Sequence, residues 1–462
     1  MNLTIALRNV FRNRRRSAMT MATVGFGAAA ILLLGALMAY IVLEFQTVTV
    51  RRVGHLAVYR HGYFQFGAGA PASYGIADPG ALLALIAADA ELAKLVAVAT
   101  PTQVISGVAG NYDAGISKTF FGQGIVPADR ARMREWNDYG IDVRGADWRA
   151  LSRPDGAIIG YGVGRILGLC AVLKIPDCAT PPAAPQAATA ASTGADDALP
   201  ALLAATAAAA PPRAATNQLD LLAATASGAP NVVSVHAERA EFFGGKELDD
   251  NLVVVQLPLA QRLVYGRAAP GVTAITVQLH HTADLGAARA ALARLFAARH
   301  LDLEVRDFTE LTPLYTQTLR FFGFLFGFIA IVIGAIVLFT IMNTMSMSVM
   351  ERVGEIGTAR ALGVHRSQLR LQFVSEGWFL GMLGASTGLL LAVVAVAVIN
   401  HSGLTWSPPT TAGTEPLKLL LFGNPGFVAS TWLVLVAVAA LAALLPANKA
   451  ARMDVVDALR HV

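Results

Sequence analysis

The residues best placed to do something beyond filling a core are Glu351, Arg352, Glu355 and Arg360, in the stretch NTMSMSVMERVGEIGTARALGV. Val349, Val353, Ile356 and Ala359 line one helical face of it, and Arg352 and Glu355 stand at i,i+3. A surface helix of this kind, continuous with a hydrophobic span, can transmit motion if a partner docks on it; the bland alternative is a solvated connector. Cys170 and Cys178 match no zinc or haem spacing. They can close a disulfide where their segment meets an oxidising compartment, and are otherwise inert thiols. FFGGKE at 242–247 lacks the leading glycine and the Ser/Thr of a phosphate-binding loop. His280–His281 and Asp249–Asp250 have no supporting ligands or bases and read as solvated surface. No nucleophile or acid–base pair is recognisable, so the chain is not expected to be catalytic, and neither a metal nor a cofactor is expected in it.

The elements that position these residues belong to a membrane protein. Hydrophobic residues make up 55% of the 462 and charged residues 15%, against about a quarter charged in soluble domains. Mean hydropathy is +0.53. Four windows, 17–43, 318–350, 377–399 and 427–446, are long and apolar enough to span, since crossing the hydrocarbon core takes roughly 20 residues as a helix. The apolar run after the basic N-terminus is too long for a signal peptide, so it reads as an uncleaved anchor. Arg8, Arg12, Arg14, Arg15 and Arg16 precede the first window. Arg352, Arg360, Arg366 and Arg370 lie between the second and third, and Lys449, Arg452 and Arg460 follow the fourth. Alternating crossings put all three groups on one side, which the positive-inside rule makes cytoplasmic, with both termini inside. Arg51 and Arg52 oppose this and are outvoted.

The expected fold class is therefore membrane α-helical with an α+β extracytoplasmic domain, the four spans arranged one before that domain and three after it. Residues 1–16 form a cytoplasmic amphipathic helix, with Leu3, Ala6, Leu7, Val10 and Phe11 on one face. The outer domain covers 44–317; 351–376 is a cytoplasmic helix and connector, 400–426 an outer loop and 447–462 a cytoplasmic tail. Strand-like alternation marks 54–64, 251–258 and 272–280, and helical spacing marks 285–299. The Ala-, Pro- and Thr-dominated stretch 179–229 reads as a mobile insert. The spans hold essentially no ionisable residue at mid-depth, which argues against a proton relay. Gly377, Gly381, Gly384, Ala385 and Gly388 in the third span, and Gly323 and Gly327 in the second, have the small-residue spacing of close helix packing, within the chain or between two copies.

Three stretches carry a family resemblance: ALRNVFRNRRRSAMT, SVMERVGEIGTARALGV and PANKAARMDVVDALR. They are similar to the signatures of FtsX/MacB-type permeases, the membrane subunits of type VII (mechanotransmission) ABC transporters. GHLAVYRHGYF, GAIIGYGVGRILGL and LPLAQRLVYG resemble pieces of the MacB-type periplasmic domain, and GHLAVYRHGYF looks nearest to the lipoprotein-releasing branch. The resemblance implies a bacterial inner-membrane protein whose large domain is periplasmic. It implies a second permease copy or a paralogue, and a separate ATPase dimer that binds ATP and Mg in trans, because this chain has no nucleotide-binding domain. By motif match, Glu351, Arg352, Glu355, Ile356, Gly357, Arg360, Ala361, Leu362 and Gly363 would form or adjoin the coupling helix. Val455 stands where many members have proline. The implied function is ATP-driven movement of the periplasmic domain that releases or extrudes a lipoprotein, lipid or other amphiphile, with periplasmic or outer-membrane partners. The alternative is an FtsX-like regulator that senses peptides or controls a periplasmic hydrolase without moving cargo. Nothing suggests nucleic-acid binding.

Overall fold

The computed structural model describes residues 14–67, 72–141, 143, 146–176, 178, 216–243, 245–406 and 415–453. The chain divides into two compact units. One comprises Met1–Glu44, Thr316–Trp406 and Glu415–Val462; the other is Phe45–Tyr315 with Ser407–Thr414. The expected N-terminal amphipathic helix and the end of the C-terminal tail fall outside the described residues.

The first unit is helical. Four helices among the described residues are long and apolar enough to cross a membrane: Arg14–Val53, Pro313–Glu351, Arg366–His401 and Pro425–Arg452. Each overruns the expected window, by eleven residues at the start of the third, because polar residues there continue the helix beyond its apolar segment. Its start is set by His365, whose ring accepts from the Ser367 amide. Pro425 follows the Asn424 cap of the fourth. Small residues do the packing expected of them in the third helix. A Cβ at Gly377 or Gly381 would strike Ala443 or Ala439 of the fourth helix, and one at Gly384 or Gly388 would strike Val24 or Ala28 of the first. A Cβ at Gly323 or Gly327 would meet nothing within 4 Å among the described residues. Residues 405–406 pair with 415–416 in a short hairpin inside the expected outer loop.

The second unit is built on a mixed sheet in the order β3-β7-β4-β6-β5-β2-β8-β1-β9, with β3 also pairing with β2. The strands are β1 Leu56–Arg60, β2 Val96–Asn111, β3 Ile116–Ile125, β4 Gly156–Gly160, β5 Gln218–Ala224, β6 Pro230–Glu241, β7 Leu252–Gln256, β8 Ala274–Leu279 and β9 Leu303–Asp307. Its 16-residue β2 serves two subdomains. Residues 96–102 pair with β8, giving the antiparallel order β2-β8-β1-β9. With helix Pro79–Ala88 between β1 and β2 and helix Leu285–Ala298 between β8 and β9, this is a split βαβ arrangement. Leu56 and Val58 of β1, Leu82 and Ile86 of the first of those helices and Leu292 and Phe296 of the second share its core. The other half of β2 pairs with β3 and β5. Strands β2, β3, β7, β4, β6 and β5 then close on themselves, so the second subdomain has no free sheet edge along that circuit. Its interior holds Ile105, Ile159, Leu221, Val235 and Val253, with Leu263 of helix Leu257–Tyr265 against them.

Two expectations are corrected here. The insert does not extend to residue 229: Gln218–Ala224 is strand β5, with Leu219, Leu221 and Ala223 alternately buried, and only 179–215 lie outside the described residues. The Ala/Thr composition hid a period-2 pattern whose inward residues are Leu, Leu and Ala. Asp249 is not solvated surface. It is 4% exposed and accepts from the amides of Tyr161 and Gly162 at 3.0 Å each, capping helix Tyr161–Ile166. Burial raises its pKa against those hydrogen bonds. Arg51, which opposed the charge rule, is occupied in this unit: its guanidinium donates to the carbonyls of Trp136 and Val143. Cys170 and Cys178 are joined as a disulfide, their Cα atoms 5.8 Å apart.

Candidate coupling site

The candidate docking element is the short helix Val353–Ala361. It does not continue the preceding 39-residue helix, as the sequence suggests. The long helix ends at Glu351, and Arg352 takes a non-helical φ of −109° and ψ of 19°. The chain turns at that point, and the short helix is a separate element. It ends in a tight cap: the Gly363 amide donates to the Arg360 carbonyl and the Val364 amide to that of Ala359. Gly363 has φ +91°, a left-handed conformation that glycine adopts without a Cβ clash. Residues 362–365 separate the short helix from the next long one, within the 351–376 stretch expected to hold the helix and its connector.

The division of faces is sharp. Val353 and Ile356 are 7% and 3% exposed, and Ile356 packs with Val349, Leu369 and Phe373. Gly357 is buried with them. Glu351, Glu355, Ala361 and Gly363 are exposed, and Leu362 is 86% exposed. Arg360 is half-buried, and its Nε has no hydrogen-bond partner among the described residues. The motif residues therefore separate into a packed set (Arg352, Ile356, Gly357), a presented set (Glu355, Ala361, Leu362) and a chain-reversing glycine.

Two of the charges are paired with other long helices. Glu351 is paired with Arg16 of the first helix. The Arg352 guanidinium donates to Glu376 of the third long helix at 3.1 Å, with the two side chains 11% and 4% exposed. Arg352 thus makes a long-range pair at the point where the helix breaks. Glu376 escaped the sequence reading: it stands one residue before the third apolar window, where a carboxylate looks like the polar edge of a span. A buried carboxylate there needs a cationic partner, and that need was the available signal. Beside this corner, Arg15, Arg16, Thr20, Phe339, Asn343 and Met347 line an open groove of about 770 Å³ between the first two long helices. Thr20 donates to Thr344 across it at 3.0 Å. Among the described residues no group of His, Cys, Asp and Glu could hold a metal ion.

Long apolar helices, a β-rich unit between the first and second of them in sequence, and a short helix after the second fit a membrane protein with a β-rich domain. Residues 325–455 match the FtsX-like permease C-terminal family. The chain is also similar to macrolide export ATP-binding/permease proteins MacB. With that of Shigella boydii serotype 4 it shares 30% identity over 233 residues, 49% of this chain and 33% of the relative. With that of Hyphomonas neptunium it shares 28% over 238 residues, 50% and 34%. With that of Escherichia coli K12 it shares 29% over 233 residues, 49% and 33%. Over these stretches the chain is similar to FtsX/MacB-type permeases. It spans about a third of the length of the curated relatives it matches.

Proposed function

We propose that this chain is the permease subunit of an ABC transporter in which a separate ATPase dimer docks on Val353–Ala361 and drives movement of the β-rich unit, releasing or extruding an amphiphile. The observation that carries the reading is the two-faced short helix: Val353 and Ile356 are packed against the spans, while Glu355 and Leu362 are offered outward. An exposed leucine beside charged side chains is what a partner surface uses, since apolar area anchors and charge orients. ATP and Mg would be bound by the partner ATPase, and this chain would catalyse nothing itself. The four helices cross a bacterial inner membrane in the one-plus-three pattern, both termini lie in the cytoplasm, and the β-rich unit is periplasmic. The Cys170–Cys178 disulfide supports that side for the unit, because disulfides persist in oxidising compartments. A second permease, identical or paralogous, completes the assembly. The cargo class is a lipoprotein, lipid or comparable amphiphile; the name of the MacB relatives adds macrolides as candidates.

The test reverses the exposed Glu355 and the half-buried Arg360, Glu355→Lys with Arg360→Glu, in the full chain co-expressed with its candidate ATPase. The expected result is a folded permease at normal membrane level whose ATPase no longer co-purifies or no longer responds to it. Full retention of coupled ATPase activity in that double variant overturns the docking assignment. Recovery of a stoichiometric periplasmic hydrolase with no lipid or lipoprotein would favour regulation over transport.

A further inference from the structure

Glu351 and Arg352 are consecutive, yet their side chains go to different helices: Glu351 to Arg16 on Arg14–Val53, and Arg352 to Glu376 on Arg366–His401. They sit where the long helix Pro313–Glu351 stops and the short helix begins. From this geometry we infer that Arg352 and Glu376 form the pivot that sets the tilt of Val353–Ala361, making Glu376 a positioning residue for the docking surface. The inference rests on the docking reading above, and deepens it by naming what orients the helix.

The physical case has three parts. A carboxylate with a 4% exposed side chain in a largely apolar helix is held charged only by a close cation and hydrogen bonds. Arg352 supplies a planar, permanently charged partner at 3.1 Å, with directional N–H groups that a lysine ammonium could not match. The pair therefore fixes an angle as well as a distance. Second, Arg352 stands immediately before the first residue of the short helix, and its carbonyl accepts from the Ile356 amide, so its pair with Glu376 anchors the residue from which that helix starts. Third, the remaining anchors are the buried Val353, Ile356 in the apolar cluster and the Gly363 cap. Apolar contacts are non-directional, so the ion pair supplies the orientation of Glu355 and Leu362.

The test uses the full chain in nanodiscs. Spin labels at Ala361→Cys and Arg452→Cys report the orientation of the short helix without any ATPase. A narrow distance distribution is expected for the otherwise native chain, a broadened one for Glu376→Gln, and a narrow one again for the charge-exchanged pair Arg352→Glu with Glu376→Arg. In parallel, Glu376→Gln should weaken ATPase binding about tenfold, with recovery in the exchanged pair. If Glu376→Gln does not fold, Arg352→Lys is used; it keeps the charge, loses the planar fork and should broaden the distribution partly. An unbroadened distribution in whichever folded variant is measured, or failure of the folded exchanged pair to restore it, overturns the pivot. Broadening in Glu376→Gln while the native chain binds no ATPase supports the pivot and overturns the docking reading alone.

Discussion

Arg130 donates from its guanidinium to the backbone carbonyl of Arg52 at 2.7 Å, and Arg51 next door donates to the carbonyl of Trp136 at 2.7 Å. The two contacts run in opposite directions between the end of helix Arg14–Val53 and the segment around helix Pro127–Glu135, so each side grips the other. Among the described residues Arg130 donates to the Arg52 carbonyl, the Thr102 hydroxyl at 2.9 Å and the Met133 sulfur, and to no carboxylate. The carbonyl end of a helix carries partial negative charge, which suits a cation there. Burial brings the Arg130 pKa down to about 10, which still leaves it protonated at neutral pH.

Replacing Arg130 by methionine keeps much of its volume and strands the Arg52 carbonyl, while Thr102 keeps its contact with the Thr276 hydroxyl. The expected cost is about 2–4 kcal/mol of stability in the β-rich unit, the range for buried groups left unpaired. Thermal unfolding of the detergent-solubilised chain should register it, whereas Arg299→Met at an exposed position should change stability by less than about 0.5 kcal/mol. Equal melting of the two variants would remove the clasp from the account.

His55 supplies a pH dependence. It is 0% exposed, its Nδ1 accepts from the Leu279 amide at 3.0 Å, and its Nε2 meets the Thr282 hydroxyl at 3.1 Å. Those contacts suit a neutral ring protonated on Nε2. Burial lowers its pKa to about 4, with Asp138 pulling weakly the other way. Between pH 6.5 and 4 the unfolded chain therefore binds more protons than the folded one at this site. Stability is full above that window and falls as pH drops through it, by about 3 kcal/mol in all. His281 works in the opposite sense: its hydrogen bond to Asp138 raises its pKa, so that contribution is present in acid and fades as pH rises through the raised value. His281 is exposed and solvent-screened, so His55 dominates. Chemical unfolding at pH 7 and pH 4.5 should show the native protein losing more stability than His55→Gln; parallel losses would refute the assignment.

Physical reasons separate what was legible in the sequence from what was not. The four apolar helices were legible because lipid demands long uncharged runs, and a run is visible without tertiary information. β8 and helix Leu285–Ala298 were legible from period alone. β5 was not, since Leu219, Leu221 and Ala223 lie in a background of alanine and threonine where alternation barely registers. The apolar face of the short helix was legible, but the break at Arg352 was not. No proline or glycine marks that residue; its conformation goes with Glu376, 24 positions away. A long-range pair leaves no periodic trace.

The place of β5 leads to a paired deletion. Replacing 180–215 with a short Gly/Ser linker removes nothing from the closed circuit of strands, so the unit should fold and keep its protease resistance. Extending the replacement through Ala224 takes away the strand that joins β6 to β2, exposing their edges and the core around Leu221 and Val235. Rapid proteolysis and aggregation are expected of that second variant only. If both variants are equally resistant to trypsin, β5 is not part of the folded circuit.

The two glycine sets in the long helices differ in what surrounds them, and substitution should separate them. At Gly381 a Cβ meets Ala439, with the backbone of Val436 close behind, so the third and fourth long helices cannot keep their approach around a larger residue. Overpacking of this kind costs about 1–3 kcal/mol and grows with side-chain size. Gly381→Leu should therefore lower the amount of folded protein and the melting temperature in detergent. Gly327 has nothing within 4 Å, so Gly327→Leu should leave the melting of the monomeric chain unchanged within about 0.5 kcal/mol. The comparison is made on monodisperse chain free of partners, because in a complex Gly327 could meet a surface that the single chain lacks. Loss of melting temperature at Gly327 to the same degree as at Gly381 would mean that its surroundings within the chain are occupied, against the open space found around it.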